Sequence, residues 1–261
     1  MTDTWNAAQY LRFADERTRP CRDLAARIAL SPGTAADLGC GPGNSTAVLA
    51  ERWPEAAVTG IDSSSEMLAR ARRDHPAIRW EEADIATWPD ADRNPGRTYD
   101  LVFSNAALQW VPDHAALLPR LFSRVAEGGA LAAQVPADIE APAHRLMREL
   151  AATERWRRFF PEPPREWHVH APEFYYDVLA SHAERLDLWA SDYFHVMEGA
   201  AAIAEWYRGT GLRPFLDALP DAAERERFAA DYAALLPREF PARADGKVLF
   251  PFRRLFLIAY R

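Results

Sequence analysis

Three glycines alternate at Gly39, Gly41 and Gly43 within the stretch ADLGCGPGNST, and three acids stand in step with them. Asp37 precedes the first glycine by two residues, Asp62 ends an apolar run about 20 residues further on, and Asp84 lies in EEADI beyond a third such run. A glycine turn between a strand and a helix brings a ligand against the backbone, and a helix start favours anions. A phosphate cradle, a nucleoside pocket and a plain tight turn are therefore all open at this point.

The spacing narrows the choice. Asn44 stands where the last glycine of the dinucleotide fingerprint Gly-x-Gly-x-x-Gly would fall, and no Gly-Lys-Ser/Thr ends the loop, so both phosphate motifs are broken. This disfavours a nicotinamide dehydrogenase. A carboxylate at Asp37 would repel a phosphate and attract an ammonium group. Asp62 has the separation from the loop at which an acid takes the hydroxyls of a ribose, and Asp84 is positioned to receive the exocyclic amino group of an adenine. Singly, Asp62 and Asp84 read equally well as turn residues. Together with the loop they fit a ligand with a ribose, a cationic amino-acid end and no phosphate, as in S-adenosyl-L-methionine.

The elements that must position these residues alternate. PCRDLAARIAL reads as a helix begun by Pro20, with Leu24 and Ile28 on one face. TAADLGC is a strand, NSTAVLAERW a helix capped by Asn44 with Val48 and Leu49 inward, and AAVTGID a second strand ending at Asp62. Ser63 and Glu66 have capping-box spacing before a helix whose apolar side is Met67, Leu68 and Ala71. IRWEEADI and TYDLVFSNAALQW are a third and a fourth strand. HAALLPRLFSRVA is a helix in which Pro119 marks a bend or an early turn, and Gly128 and Gly129 break the chain before a fifth strand, ALAAQVP. Strands separated by helices predict a doubly wound, mainly parallel α/β sheet covered on both faces.

After Pro136 the rhythm changes. Residues 140–160 read as helical, followed by the proline-rich loop FFPEPPREWHVHAP, a short helix PEFYYDVLASH and a long strand RLDLWASDYFHVM. Two or three helices lead to a closing strand, KVLFPFRRLFLIAYR. The expected organisation is an N-terminal segment 1–19 over the cofactor, a cofactor-binding core 20–136, and a helical substrate cap with the last two strands in 137–261.

A net charge of −7 argues against a general nucleic-acid surface. All but one of the basic residues are arginines, the exception being Lys247, so an anion site would use arginine. Two cysteines, Cys21 and Cys40, offer neither a disulfide framework nor a metal cluster. His168 and His170 have no further His or Cys at ligand spacing, so no metal is expected. The N-terminus lacks the pattern of a signal peptide, and no stretch approaches the ~20 apolar residues of a membrane span. A cytoplasmic protein without membrane contact is expected, as a monomer or small homo-oligomer.

ADLGCGPGNST, TGIDSSSEML, EEADI and YDLVFSNAALQWVPD resemble the successive motifs of class I S-adenosylmethionine-dependent methyltransferases. NAAQYLRFADERTRP, VHAPEFYYDVL and TGLRPFL narrow the resemblance, which covers nearly the whole chain, to members that esterify trans-aconitate. The resemblance implies a seven-stranded sheet whose last strand is antiparallel. It implies that Asp37, Gly39, Gly41 and Gly43 line the methionine end, with Cys40 in the loop as a small filler. Asp62 would bind the ribose with Ser63 and Met67 beside the adenosine, Asp84 and Ile85 would hold the adenine, and Asn105 would contact the methionine backbone. The product would be S-adenosyl-L-homocysteine.

An ionised carboxylate is already a nucleophile at neutral pH, so no catalytic proton acceptor is expected and catalysis reduces to positioning. The acceptor's other carboxylates call for arginines and polar donors. The candidates are Tyr10, Arg17 and Arg19 near the start, Gln109 and Trp110 after strand four, His170, Tyr175 and Tyr176 in the insertion, Arg213 in a loop between helices, and Arg253 or Arg254. Strand alternation allows only one of that last pair to face the site, and Arg253 is the first choice. Other acceptors (another small acid, a phenol or an amine) and a non-catalytic cofactor-binding regulator are the alternatives.

Overall fold

The computed structural model describes residues 14–90, 96–162, 164 and 167–261. Seven strands form one sheet: β1 (Thr34–Leu38), β2 (Ala57–Asp62), β3 (Arg79–Glu82), β4 (Tyr99–Asn105), β5 (Val125–Pro136), β6 (Arg185–Met197) and β7 (Val248–Tyr260). Their order is β3-β2-β1-β4-β5-β7-β6. The first five pair in parallel, and β7 runs antiparallel to β5 from Ala130↔Tyr260 to Pro136↔Arg254. Ala35 to Leu38 and Leu101 to Ser104 are fully buried, as expected of central parallel strands covered on both faces. Successive strands spread in opposite directions from β1 and β4. The carboxyl ends of these two neighbours flank the point where open α/β sheets bind ligands.

The described helices are α1 (Ala14–Arg27), α2 (Asn44–Arg52), α3 (Ser65–Asp74), α4 (His114–Phe122), α5 (Pro142–Ala151), α6 (Pro172–Leu179), α7 (Ala200–Arg208), α8 (Arg213–Asp217) and α9 (Ala222–Leu235). Several boundaries differ from the sequence expectation, each for a local reason. Pro20 does not begin α1 but lies inside it, buried on the same face as Cys21, Leu24 and Ala25. The upstream turns are polar and carry no apolar period to betray them. Asn44 is the first residue of α2 rather than its cap, because Gly43 occupies that position with φ 97°. In α3 the cap is Ser64, whose hydroxyl accepts from the Met67 N–H. The strand glycines do not interrupt β5: a bulge between the Tyr99 and Leu101 pairings absorbs them. Pro119 sits within α4 without ending it.

By contacts the chain divides into two compact units. One holds residues 15–137, 168–191 and 254–261, hence the parallel sheet, α1 to α4 and α6. The other holds residues 138–167 and 192–253, with α5 and α7 to α9. Inside this second unit the Tyr207 hydroxyl donates to Asp138 at 3.0 Å and the Tyr232 hydroxyl to the Ala143 carbonyl at 3.2 Å. Trp156, Trp206 and Phe228 fill its interior. No described helix is long and apolar enough to cross a membrane.

Candidate functional site

The glycine loop leaves β1 and is shaped by three contacts. The Gly39 and Cys40 N–H groups both donate to the Ile61 carbonyl, at 2.8 and 3.0 Å. The Gly41 N–H donates to Asp62 Oδ2 at 2.8 Å. Asp62 Oδ1 in turn accepts the Ser64 N–H at 2.8 Å, so one carboxylate ties the loop after β1 to the turn after β2. Gly39 has φ +70°, and a Cβ there would lie 2.2 Å from the Ala107 Cβ and 3.2 Å from Ile85 Cδ1. Only glycine lets the loops after β1, β3 and β4 converge this closely. Gly41, with φ +55°, has nothing within 4 Å of a Cβ position. Its left-handed backbone favours glycine, and the open space above it leaves the backbone accessible to a ligand.

Asp37 is wholly buried. Its Oδ2 accepts from the hydroxyls of Ser45 and Thr46, both at 2.6 Å, which clamps the first turn of α2 to the end of β1. Its Oδ1 is buried and has no hydrogen-bond partner. Burial, joined by the nearby Asp62 carboxylate, raises its pKa to about 6 against the two hydroxyl bonds that lower it. Burial also raises the pKa of Asp62, against the backbone N–H groups that lower it. The Cys40 thiol is pushed strongly upward by burial and by both aspartates. It packs over Gly60, with Sγ 3.1 Å from where a Cβ would stand. The pocket floor is thus negative and poor in counter-charge, which is hostile to phosphate and suited to a cation.

The remaining candidates fall into distinct settings. Asp84 is exposed and accepts the Ala86 N–H at 2.8 Å, while Ile85 and Met67 are buried and Ser63 is exposed. Asn105 Oδ1 accepts from the Gln134 amide at 2.6 Å. Gln109 is buried, its amide nitrogen donating to the Ala106 carbonyl at 2.7 Å and its Oε1 left without a partner; Trp110 beside it is half-buried. Arg17 is half-buried and Arg19 exposed on α1. Tyr175 is buried, His170 exposed and stacked on Phe174 at 4.0 Å, and Tyr176 is 54 % exposed. Tyr10 lies outside the described residues.

The arginines of α8 and β7 fall into different settings. Arg213 opens the short helix α8 instead of lying in a loop, and its Nε meets Asp217 Oδ2 at 3.3 Å, one helical turn away. In β7 burial alternates only as far as Arg253, which is exposed; Arg254, at 5 % exposure, opens a run that stays buried through Ala259. Sequence reasoning also missed Ala107, Gln134 and the Ser45–Thr46 pair. Of these only the two hydroxyls left a signal, standing at the start of the helix after the loop. Among the described residues no group of three His, Cys, Asp or Glu could hold a metal ion.

A family model described as a methyltransferase domain matches residues 35–129, which span β1 to the start of β5. The fold is similar to that of the plantazolicin methyltransferase BpumL, solved in complex with a triazolic desmethylPZN analog and SAH: TM-score 0.52, 14% identity, covering 99% of this chain and 92% of that one. Sheet order, glycine loop and matched domain define a class I methyltransferase. The chain is 49% identical to the trans-aconitate 2-methyltransferase of Azoarcus sp. (strain BH72), over 99% of both chains. It is 47% identical to that of Rhodopseudomonas palustris (strain BisB5), over 98% of this chain and 99% of the relative. It belongs to the trans-aconitate 2-methyltransferase family.

Proposed function

We propose that the protein transfers a methyl group from S-adenosyl-L-methionine to one carboxylate of trans-aconitate, giving the monomethyl ester and S-adenosyl-L-homocysteine. The observation that carries this reading is near-half identity over the full length to trans-aconitate 2-methyltransferases. The site's chemistry supports the cofactor independently. The partnerless Asp37 Oδ1 is an acceptor waiting for a cation, and the open face of Gly41 admits a ligand to the backbone.

Bound there, S-adenosyl-L-methionine supplies a methyl group made electrophilic by its sulfonium. Asp37 would hold the ammonium end, with Gly39, Gly41 and Gly43 beneath it and Asn105 near the methionine backbone. Each Asp62 oxygen spends one lone pair on a backbone N–H, leaving the other for a ribose hydroxyl. Asp84, with one oxygen engaged by Ala86, retains the second for an adenine amino group. Acceptor contacts are proposed for Arg17, Arg19, Gln109 and Trp110. The step forms one O–C bond and breaks one S–C bond with no proton to move, so the residues position and desolvate and none acts as a base.

The test is methyl incorporation from labelled cofactor into a panel of organic acids, phenols and amines, followed over pH. Turnover of trans-aconitate with kcat level from pH 7 to 9 is expected. A rising limb near neutrality would instead indicate a hydroxyl or amine acceptor that needs a base. At subsaturating cofactor the rate should fall below about pH 6, where Asp37 takes up a proton. No methyl transfer to any acceptor, with cofactor bound, would favour the regulator.

Gly41→Ala separates ligand approach from packing. A left-handed alanine costs about 1 kcal/mol of stability, with no clash to add to it. Cofactor affinity should fall more than tenfold, read by calorimetric titration with S-adenosylhomocysteine. Unchanged affinity would mean that the ligand does not lie on this loop.

A further inference from the structure

The turn after β4 is held in an unusual backbone. Ala106, with φ +54°, and Asp113, with φ +53°, are the two described non-glycine residues at positive φ, and they bracket it on either side. Such conformations persist where surrounding contacts over-determine them, and they cluster at functional sites. Between them the short 3-10 turn Leu108–Trp110 carries Gln109, and Ala107 touches the glycine loop at Gly39.

What fixes this turn comes from outside it. His114, fully buried at the start of α4, directs Nε2 to the Leu108 carbonyl at 2.9 Å and Nδ1 to the Tyr175 hydroxyl at 3.2 Å. A carbonyl only accepts, so Nε2 carries the proton, and in the neutral ring Nδ1 accepts from the Tyr175 hydroxyl. The Tyr175 oxygen then accepts the His170 backbone N–H at 3.3 Å. A parallel tie runs from the His168 N–H to the Gln109 carbonyl at 2.8 Å. Burial lowers the pKa of His114 against the Leu108 carbonyl bond that raises it, and the nearby His170 and His168 lower it further, the direction that favours the neutral ring of this arrangement.

We infer that His114 and Tyr175 are positioning residues: a relay from the 168–175 segment through the Tyr175 hydroxyl and the His114 ring sets the Leu108–Trp110 turn that presents Gln109 to the acceptor. Tyr175 therefore acts through His114 and does not touch the substrate. Its hydroxyl is committed at both ends, as donor to His114 and acceptor from His170, and its buried ring packs beside His114, His170 and Phe174. The assignment of the acceptor side rests on the methyl-transfer reading above.

Tyr175→Phe keeps the ring and removes only the hydroxyl. Its kcat/KM for trans-aconitate should fall about tenfold through KM, with S-adenosylhomocysteine affinity within twofold of wild type. Hydrogen exchange should quicken at residues 106–111 and stay unchanged in β1 and β2. His114→Gln keeps a donor for the Leu108 carbonyl but offers no ring nitrogen to Tyr175, so adding Tyr175→Phe to it should cost nothing more. Additive losses would mean that Tyr175 contacts the substrate directly, and kcat/KM within twofold of wild type would mean that the relay sets nothing. Either result overturns the inference. Should the wild-type protein fail to turn over trans-aconitate, the exchange measurement needs no acceptor and still decides: unchanged protection at 106–111 defeats the relay, while faster exchange leaves only the substrate assignment at fault.

Discussion

Asp62→Ala is expected to weaken S-adenosylhomocysteine binding about 1,000-fold, which corresponds to about 4 kcal/mol. Two sources add. The carboxylate holds the Gly41 and Ser64 N–H groups, each a charge-assisted bond worth about 1.5–3 kcal/mol. Without it the glycine loop loses its tether to the end of β2. The ribose hydroxyls would lose their acceptor as well. Asp62→Asn keeps the shape but offers one acceptor oxygen for two backbone donors, so it should fall between alanine and wild type. Calorimetric titration reads both variants, and an affinity for Asp62→Ala within threefold of wild type would remove Asp62 from the site.

Asp37→Asn should do two opposite things: stabilise the free protein and cripple cofactor binding. A carboxyl moved by burial from its usual 3.8 up to about 6 is protonated more readily in the folded chain than in the unfolded one. Its contribution is therefore fully favourable below pH 3.8 and is lost as pH rises through about 6. Above that, ionisation in the buried site costs about 3 kcal/mol. Asparagine still accepts from Ser45 and Thr46 and carries no charge. Near pH 8 its melting temperature should exceed wild type by about 5 °C, and the gap should close towards pH 4. Cofactor affinity should fall at least 100-fold, because the cation loses its counter-charge. A variant that melts no higher at pH 8, or that binds the cofactor as wild type does, would contradict the assigned role. Stability surrendered at a buried, partnerless acid is the usual mark of a site shaped for its ligand.

The core was legible because its signals are local. Apolar runs of strand length ending in Asp37–Gly39 and Asp62 mark parallel strands of the sheet. The broken phosphate spacing at Asn44 and the acid at Asp37 point away from an anion site, and in the fold Asp37 is wholly buried with the Asp62 carboxylate near enough to raise its pKa. Helix boundaries were less legible. Pro20 and Pro119 read as starts or bends, yet each lies inside a helix, because burial of the surrounding face outweighs one missing backbone bond.

The sequence by itself determined the strand rhythm, the glycine loop and the acids at consecutive strand ends, since each rests on residue type and short-range spacing. Only the tertiary structure decided which partner each polar atom has. Asp37 spends one oxygen on Ser45 and Thr46, Tyr175 turns inward to His114 61 residues away, and Arg254 is buried where Arg253 is exposed. Hydrogen-bond partners and burial are set by packing between segments remote in the chain, and residue spacing along one segment carries no record of what folds against it.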